Sequence, residues 1–227
     1  MKVISDIRIF KSNVANVDGC SLPSYIENQK AIIIAGRIAM KLRENHFSLG
    51  DYDHLYLNYT NCLLEGQIKL SKRSIDKYHP WYRYYDIGVS DDLYKNLDDD
   101  KGTEYIVNLI RKTLIKYFSL NNSGRIINES IDIVLNEGEN MMMFFKEKRS
   151  SKNIAKIFLK LLDNGKFLPI LQVSDLNNNI VLDKELGETF DLSLIGQIKL
   201  NTKNVTVCPR TNAYTKDLKS ITFSLKN

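Results

Sequence analysis

The run Ala31-Ile32-Ile33-Ile34-Ala35-Gly36-Arg37-Ile38-Ala39-Met40 is apolar almost all the way round at helical spacing, with Arg37 its single charge. A helix of this kind has neighbours on several sides and does not lie on a surface, so the fold must be built around it. The run is well short of the ~20 residues needed to cross hydrocarbon, which makes it a buried helix and not a membrane span. Ser24-Tyr25-Ile26-Glu27 has the form of a capping box, in which the Ser24 hydroxyl accepts from the Glu27 amide while the Glu27 carboxylate reaches back. The helix is therefore predicted from there to about Asn45. A chain of 227 residues, 43% hydrophobic and 26% charged, has ordinary globular composition and enough apolar surface to enclose such a helix.

Segments of both periods flank it. Alternation from Asp6 to Phe10 predicts a first strand, and Leu55, Leu57 and Tyr59 alternate with His54, Tyr56 and Asn58 in a second. A strand over 67–71 can return after the Glu65-Gly66 turn, and 82–89 is rich in β-forming residues. Thr103 can cap a helix carrying Val107, Ile110, Leu114 and Phe118; a further helix starts near Ser123, buries Ile127, Ile131, Val134 and Leu135, and stops at Gly138. Beyond about residue 140, short β-like runs predominate. Asn164-Gly165 joins two of them as a hairpin, and strands are predicted over 180–182, 195–200, 205–208 and 221–225. The expectation is one α+β domain over 1–227, with a mixed or antiparallel sheet, a buried central helix and two further helices. Within it, a mixed part (1–139) gives way to a β-rich part (140–227).

The N-terminus, Met1-Lys2-Val3-Ile4-Ser5-Asp6, lacks the apolar core and cleavage site of a secretory signal, which predicts a cytoplasmic protein. Cys20, Cys62 and Cys208 are odd in number and in no CxxC spacing, so they suggest reduced thiols and neither a disulfide framework nor a zinc site. Thirty-two basic against 27 acidic residues give a net charge of +5, a mild excess that suits nucleic acid or an acidic partner without requiring either.

No GxxxxGK[ST], GxGxxG, HExxH, GxSxG or EF-hand pattern occurs, and His46, His54 and His79 lack the short spacing that holds a metal on one helix. No catalytic residue, metal or cofactor is therefore assigned. Asp53-His54 followed by Cys62 has the residue types of an acid, base and nucleophile, but it reads more simply as a strand start followed by a small packed thiol. The segment 72–85 is the most unusual. It interleaves Tyr78, Trp81, Tyr82, Tyr84 and Tyr85 with Lys72, Arg73, Lys77 and Arg83. Such a mixture suits half of a core, the anchors of a protein interface, or stacking on single-stranded nucleic acid. Asp91-Asp92 and Asp98-Asp99-Asp100 form an acidic loop, read either as a solvated approach to a helix or as a charged rim that steers a basic partner. Lys199, Lys203, Arg210, Lys216 and Lys219 make a diffuse basic surface in the tail, of the kind that serves solubility.

A short first strand, a core helix, Asp53-His54-Leu55-Tyr56-Leu57-Asn58, the stretch from Ser71-Lys72-Arg73-Ser74 to Tyr85-Asp86-Ile87-Gly88 and a β-rich tail together resemble bacterial immunity proteins of polymorphic or contact-dependent toxin systems. The resemblance implies a cytosolic protein that neutralises a cognate toxin by binding it. If that toxin is a nuclease, an acidic surface such as 91–100 would have to complement its cleft. The partner-binding residues expected are His79, Trp81, Arg83, Tyr84, Asp91 and Asp92. Two alternatives stand beside a protein-binding module: a nucleic-acid-binding protein using the same aromatic segment, and an enzyme drawing on dispersed residues such as His54, His79 and Asp86.

Overall fold

In the computed structural model, which describes residues 1–15, 23–71, 78–119, 123–212 and 215–225, the alternation beginning at Asp6 becomes strand β1 (Asp6–Ser12). Ser24 and Tyr25 do not open a helix. They form a two-residue strand, β2 (Ser24–Tyr25), antiparallel to β1. The helix α1 (Gln29–Glu44) starts later, capped by Asn28, whose side-chain oxygen accepts from the Ala31 amide at 2.9 Å. Tertiary contacts decide this shift. The Glu27 amide that a capping box would satisfy is taken by the Asp98 carboxylate at 2.9 Å, and Asn28 is 2% exposed with its amide donating to Thr103 Oγ1 at 3.1 Å. The helix buries Ala31, Ile33, Ala35, Ile38, Ala39, Met40 and Leu42 together with Arg37.

β3 (His54–Thr60), β4 (Ile68–Leu70) and β5 (Tyr82–Gly88) follow. The sheet order is β2-β1-β3-β5-β4, with β1, β3 and β5 parallel and the two edge strands antiparallel. β4 returns after the turn at Gly66 (φ +75°), yet it pairs with β5 and not with β3. The parallel pairing of β3 with β5 occupies the place that a simple hairpin would have used.

After β5 come a short helix, α2 (Asp91–Lys95), then α3 (Thr103–Phe118) and α4 (Ser123–Glu137). Thr103 is the first helical residue and not the cap; its hydroxyl bonds Asn28. α4 ends at Gly138 (φ +54°), where a left-handed residue costs glycine little. Its buried side is Ile127, Ser130, Ile131 and Val134. Leu135, next round the helix from Val134, is 50% exposed and does not join the core. α1 packs on β1, α3 and α4, and Tyr59 from β3 donates to the Ile106 carbonyl of α3. One face of the sheet, carrying Leu55, Leu57, Tyr59, Tyr85 and Ile87, thus forms the helix-covered core. The other carries Phe10, Tyr56, Asn58, Thr60, Tyr84 and Asp86.

These elements make up one unit, Met1–Gly138; a second is Glu139–Asn227. In the second, β6 (Met143–Arg149), β7 (Asn153–Leu161), β8 (Phe167–Asp175) and β9 (Ile180–Glu185) form an antiparallel meander. β10 (Gln197–Leu200), β11 (Asn204–Cys208) and β12 (Ile221–Ser224) form a second antiparallel sheet. The Asn164-Gly165 hairpin forms as the sequence predicts, with Gly165 at φ +79°. Ala155, Ile157 and Leu159 pair with Val173, Leu171 and Pro169 on one buried face. β6 is an element that periodicity does not reveal, because a register shift between Phe144 and Lys146 breaks its alternation. Lys146 donates to the Ile195 and Gly196 carbonyls, and burial followed by the charge of Arg210 lowers its pKa. Among the described residues the fold is α+β, with four α-helices and twelve strands in three sheets, and no helix is long and apolar enough to cross a membrane.

Candidate functional site

On the sheet face opposite the helices, the parallel register sets aromatic side chains in adjacent rows. Tyr56 stands beside Tyr84, and His54 beside Tyr82. Their rings form a continuous array. The Tyr25 and Phe10 centroids lie 4.5 Å apart, Phe10 and Tyr56 5.5 Å, Tyr56 and Tyr82 4.9 Å, and Tyr82 and His54 4.6 Å. His79 stacks on Tyr82 at 4.9 Å with planes 4° apart, and Trp81 meets His79 edge-on at 5.6 Å. Contacts of this kind add about 0.5–1.5 kcal/mol per pair beyond area burial. The middle of the array, Phe10, Tyr56 and Tyr84, is buried, whereas His54, His79, Trp81 and Tyr82 are half-buried and Tyr25 and Tyr78 are exposed.

Charged and titratable groups border the array. Arg8 binds Asp6 at 2.7 Å and lies over the Tyr56 ring at 5.4 Å. Burial works against the Arg8 charge, but the bond and charge of Asp6 outweigh it and raise the pKa. His54 Nδ1 is 2.6 Å from Asp53 Oδ1, and Lys2 sits 4.3 Å over Trp81. Burial, the largest influence on the Tyr56 phenol, pushes its pKa well above the usual range.

Three of the expected partner-binding residues lie away from this surface, and a fourth is buried within it. Tyr84 lies within the array but is only 5% exposed, packed edge-on at 4.9 Å against Tyr56, so it holds the neighbouring rings and offers almost no surface of its own. Arg83, next to Tyr82 on a strand, points to the opposite face, where its guanidinium lies 4.7 Å over Tyr52 and donates to the Tyr52 hydroxyl at 3.0 Å. Asp91 and Asp92 are exposed at the start of α2, beyond the far end of β5, roughly 20 Å from Trp81 along the strand. Asp91 accepts from Asn61 there at 2.7 Å. Of the expected set, only His79 and Trp81 are both on the aromatic face and accessible. Tyr82, already marked by the aromatic segment, joins them, and so do Tyr25, Asp6 and Arg8, which strand pairing brings in without a local signal, and Lys2, which lies over Trp81. Lys72, Arg73 and Lys77 of the aromatic segment, and Cys20, lie outside the described residues.

The residues considered for catalysis do not converge. His54 and His79 both touch Tyr82, but Asp86 is four residues further along β5, about 13 Å away. Cys62 follows the opposite end of β3 from Asp53 and His54, too far to take part with them. Among the described residues no group of three or more His, Cys, Asp or Glu is placed to hold a metal ion. Asp86 instead borders a cleft of about 200 Å³ at the C-terminal ends of β3 and β5, shared with Asn58, Thr60, Cys62 and Lys69.

No family model, curated protein or solved structure matches the chain.

Proposed function

We propose that this chain is a protein-binding module that uses the edge of the aromatic array, with Trp81, His79, Tyr82 and Tyr25, to dock a partner protein. The resemblance to bacterial immunity proteins supplies the partner class, a cognate toxin neutralised by direct binding in the cytoplasm. One observation carries the reading: the half-buried rings grow out of a buried aromatic layer that holds them in place. Rigid Tyr and Trp side chains lose little entropy on binding and recur as interface anchors. A nucleic-acid surface needs excess cations for phosphate. Of the cations next to these rings, Arg8 is already paired with Asp6, which favours a protein partner.

The test uses the protein captured by the full chain from its native cell, with affinity then measured on the purified pair. Trp81→Ala should weaken binding by roughly 30-fold, the loss of an anchor contributing about 2 kcal/mol, while Lys184→Ala on the exposed edge of the second unit should leave it unchanged. Unchanged affinity in folded Trp81→Ala and His79→Ala proteins would overturn the assignment. So would a captured ligand that is nucleic acid, whose binding falls steeply with added salt.

A further inference from the structure

The cleft at the other end of the sheet has a composition that the aromatic surface does not explain. Its floor comes from paired positions on neighbouring strands. Asn58 of β3 stands directly beside Asp86 of β5, and Lys69 of β4 beside Asp86 on the other side. Asn58 Nδ2 donates to Asp86 Oδ1 at 2.7 Å, which fixes the side-chain amide and turns its oxygen away from the carboxylate. That oxygen, on a residue 5% exposed, has no hydrogen-bond partner among the described residues. Leaving a buried acceptor unpaired costs roughly 1–3 kcal/mol, and native folds seldom do so without a use for it. Thr60, 3% exposed, adds a hydroxyl oxygen that accepts from the Cys62 amide. The floor is therefore rich in acceptors. The walls include Val14, Leu63 and Leu70, which are apolar.

We propose that this cleft binds a primary ammonium group on a short alkyl arm, with the N–H bonds directed at Asn58 Oδ1 and the Asp86 carboxylate and the arm against Val14, Leu63 and Leu70. A volume of about 200 Å³ holds several water molecules at ~30 Å³ each, which matches a small alkylamine or the end of a lysine-like side chain. The location agrees with the tendency of parallel sheets to bind ligands beyond the carboxyl ends of their strands. Lys69, whose side chain is exposed at the rim, sets the selectivity, because its own ammonium repels a second one and limits affinity. The site lies at the opposite end of β5 from Trp81 and His79, although Tyr25 shares its cross-strand row through Phe10; small-amine binding is read separately from Trp81-dependent docking.

The test is a titration of the ¹⁵N-labelled full chain with n-butylammonium chloride, and in parallel with butyltrimethylammonium chloride, which carries the same charge but no N–H. Saturable shifts of the Asn58 side-chain NH₂ signal and the Thr60 and Cys62 amides are expected with the primary amine alone. Asn58→Leu should abolish them, and Lys69→Met should tighten binding about fivefold by removing the competing charge. Equal responses to both cations, or no saturable response to either, would overturn the proposal. Should Asn58→Leu fail to fold, the comparison of the two cations on the wild-type chain decides alone.

Discussion

Replacing Tyr59 by Phe separates two effects of one hydroxyl group that have opposite pH dependence. Tyr59 is fully buried near the C-terminal end of β3, and its hydroxyl donates to the Ile106 carbonyl at 3.3 Å. At neutral pH the substitution removes one long hydrogen bond and leaves a helical carbonyl that is already bonded, at a cost of about 1 kcal/mol. At alkaline pH the sign changes. Burial raises the Tyr59 pKa above its ordinary value of 10.0, so above that pH the unfolded chain loses a proton that the folded chain keeps. The stability contributed is complete below 10.0 and is lost as pH rises towards the folded-state value, at up to about 1.4 kcal/mol per pH unit. Phe cannot ionise. The stability curves of the two proteins should therefore converge and cross between about pH 10.5 and about pH 11. The phenols of Tyr56 and Tyr85, also raised by burial, are present in both proteins and cancel in the difference. Urea unfolding followed by Trp81 fluorescence reads this directly, because Trp81 is the single tryptophan and lies in the same unit as Tyr59. A stability difference that stays constant from about pH 8 to about pH 11 would mean that the phenol ionises equally in both states, which refutes its burial.

Gly88→Ala would place a Cβ 1.9 Å from the Leu64 carbonyl oxygen and 2.8 Å from its carbon. Because the obstacle is backbone, we expect a loss of about 1–3 kcal/mol, or about 3–4 °C of Tm per kcal/mol for a unit of this size; thermal unfolding that shows no loss would mean the 61–66 loop shifts freely. Asp175 accepts from Asn179 and Asn177, and these bonds hold its carboxyl below the ordinary 3.8. Its contribution is present above 3.8 and is lost as pH falls through the lowered value. Asp175→Asn keeps an acceptor but cannot protonate, so its β8–β9 turn should exchange amide protons with a flatter acid dependence than wild type; identical acid limbs would contradict this.

Local periodicity was enough to determine most elements, because a pattern repeating every two or about 3.6 residues depends only on which side of a segment is buried. The helix around Ala31–Met40 and the strand at His54–Thr60 follow from it, whereas the stop at Gly138 and the Asn164-Gly165 hairpin follow from turn chemistry, a glycine that accepts a left-handed backbone. The same information identified 78–85 as unusual but could not divide its rings between core and surface. Tyr84 and Trp81 have similar chemistry, and only the strands beside them bury one and leave the other half open. Pairing is non-local, so the sequence did not show that β4 would join β5, that Asp98 would displace the capping box of Ser24, or that Arg83 would turn towards Tyr52. The cleft is the clearest case. Asn58 and Asp86 are 28 residues apart, neither part of any recognisable motif, and they become a site because the parallel register places them side by side with one oxygen left over.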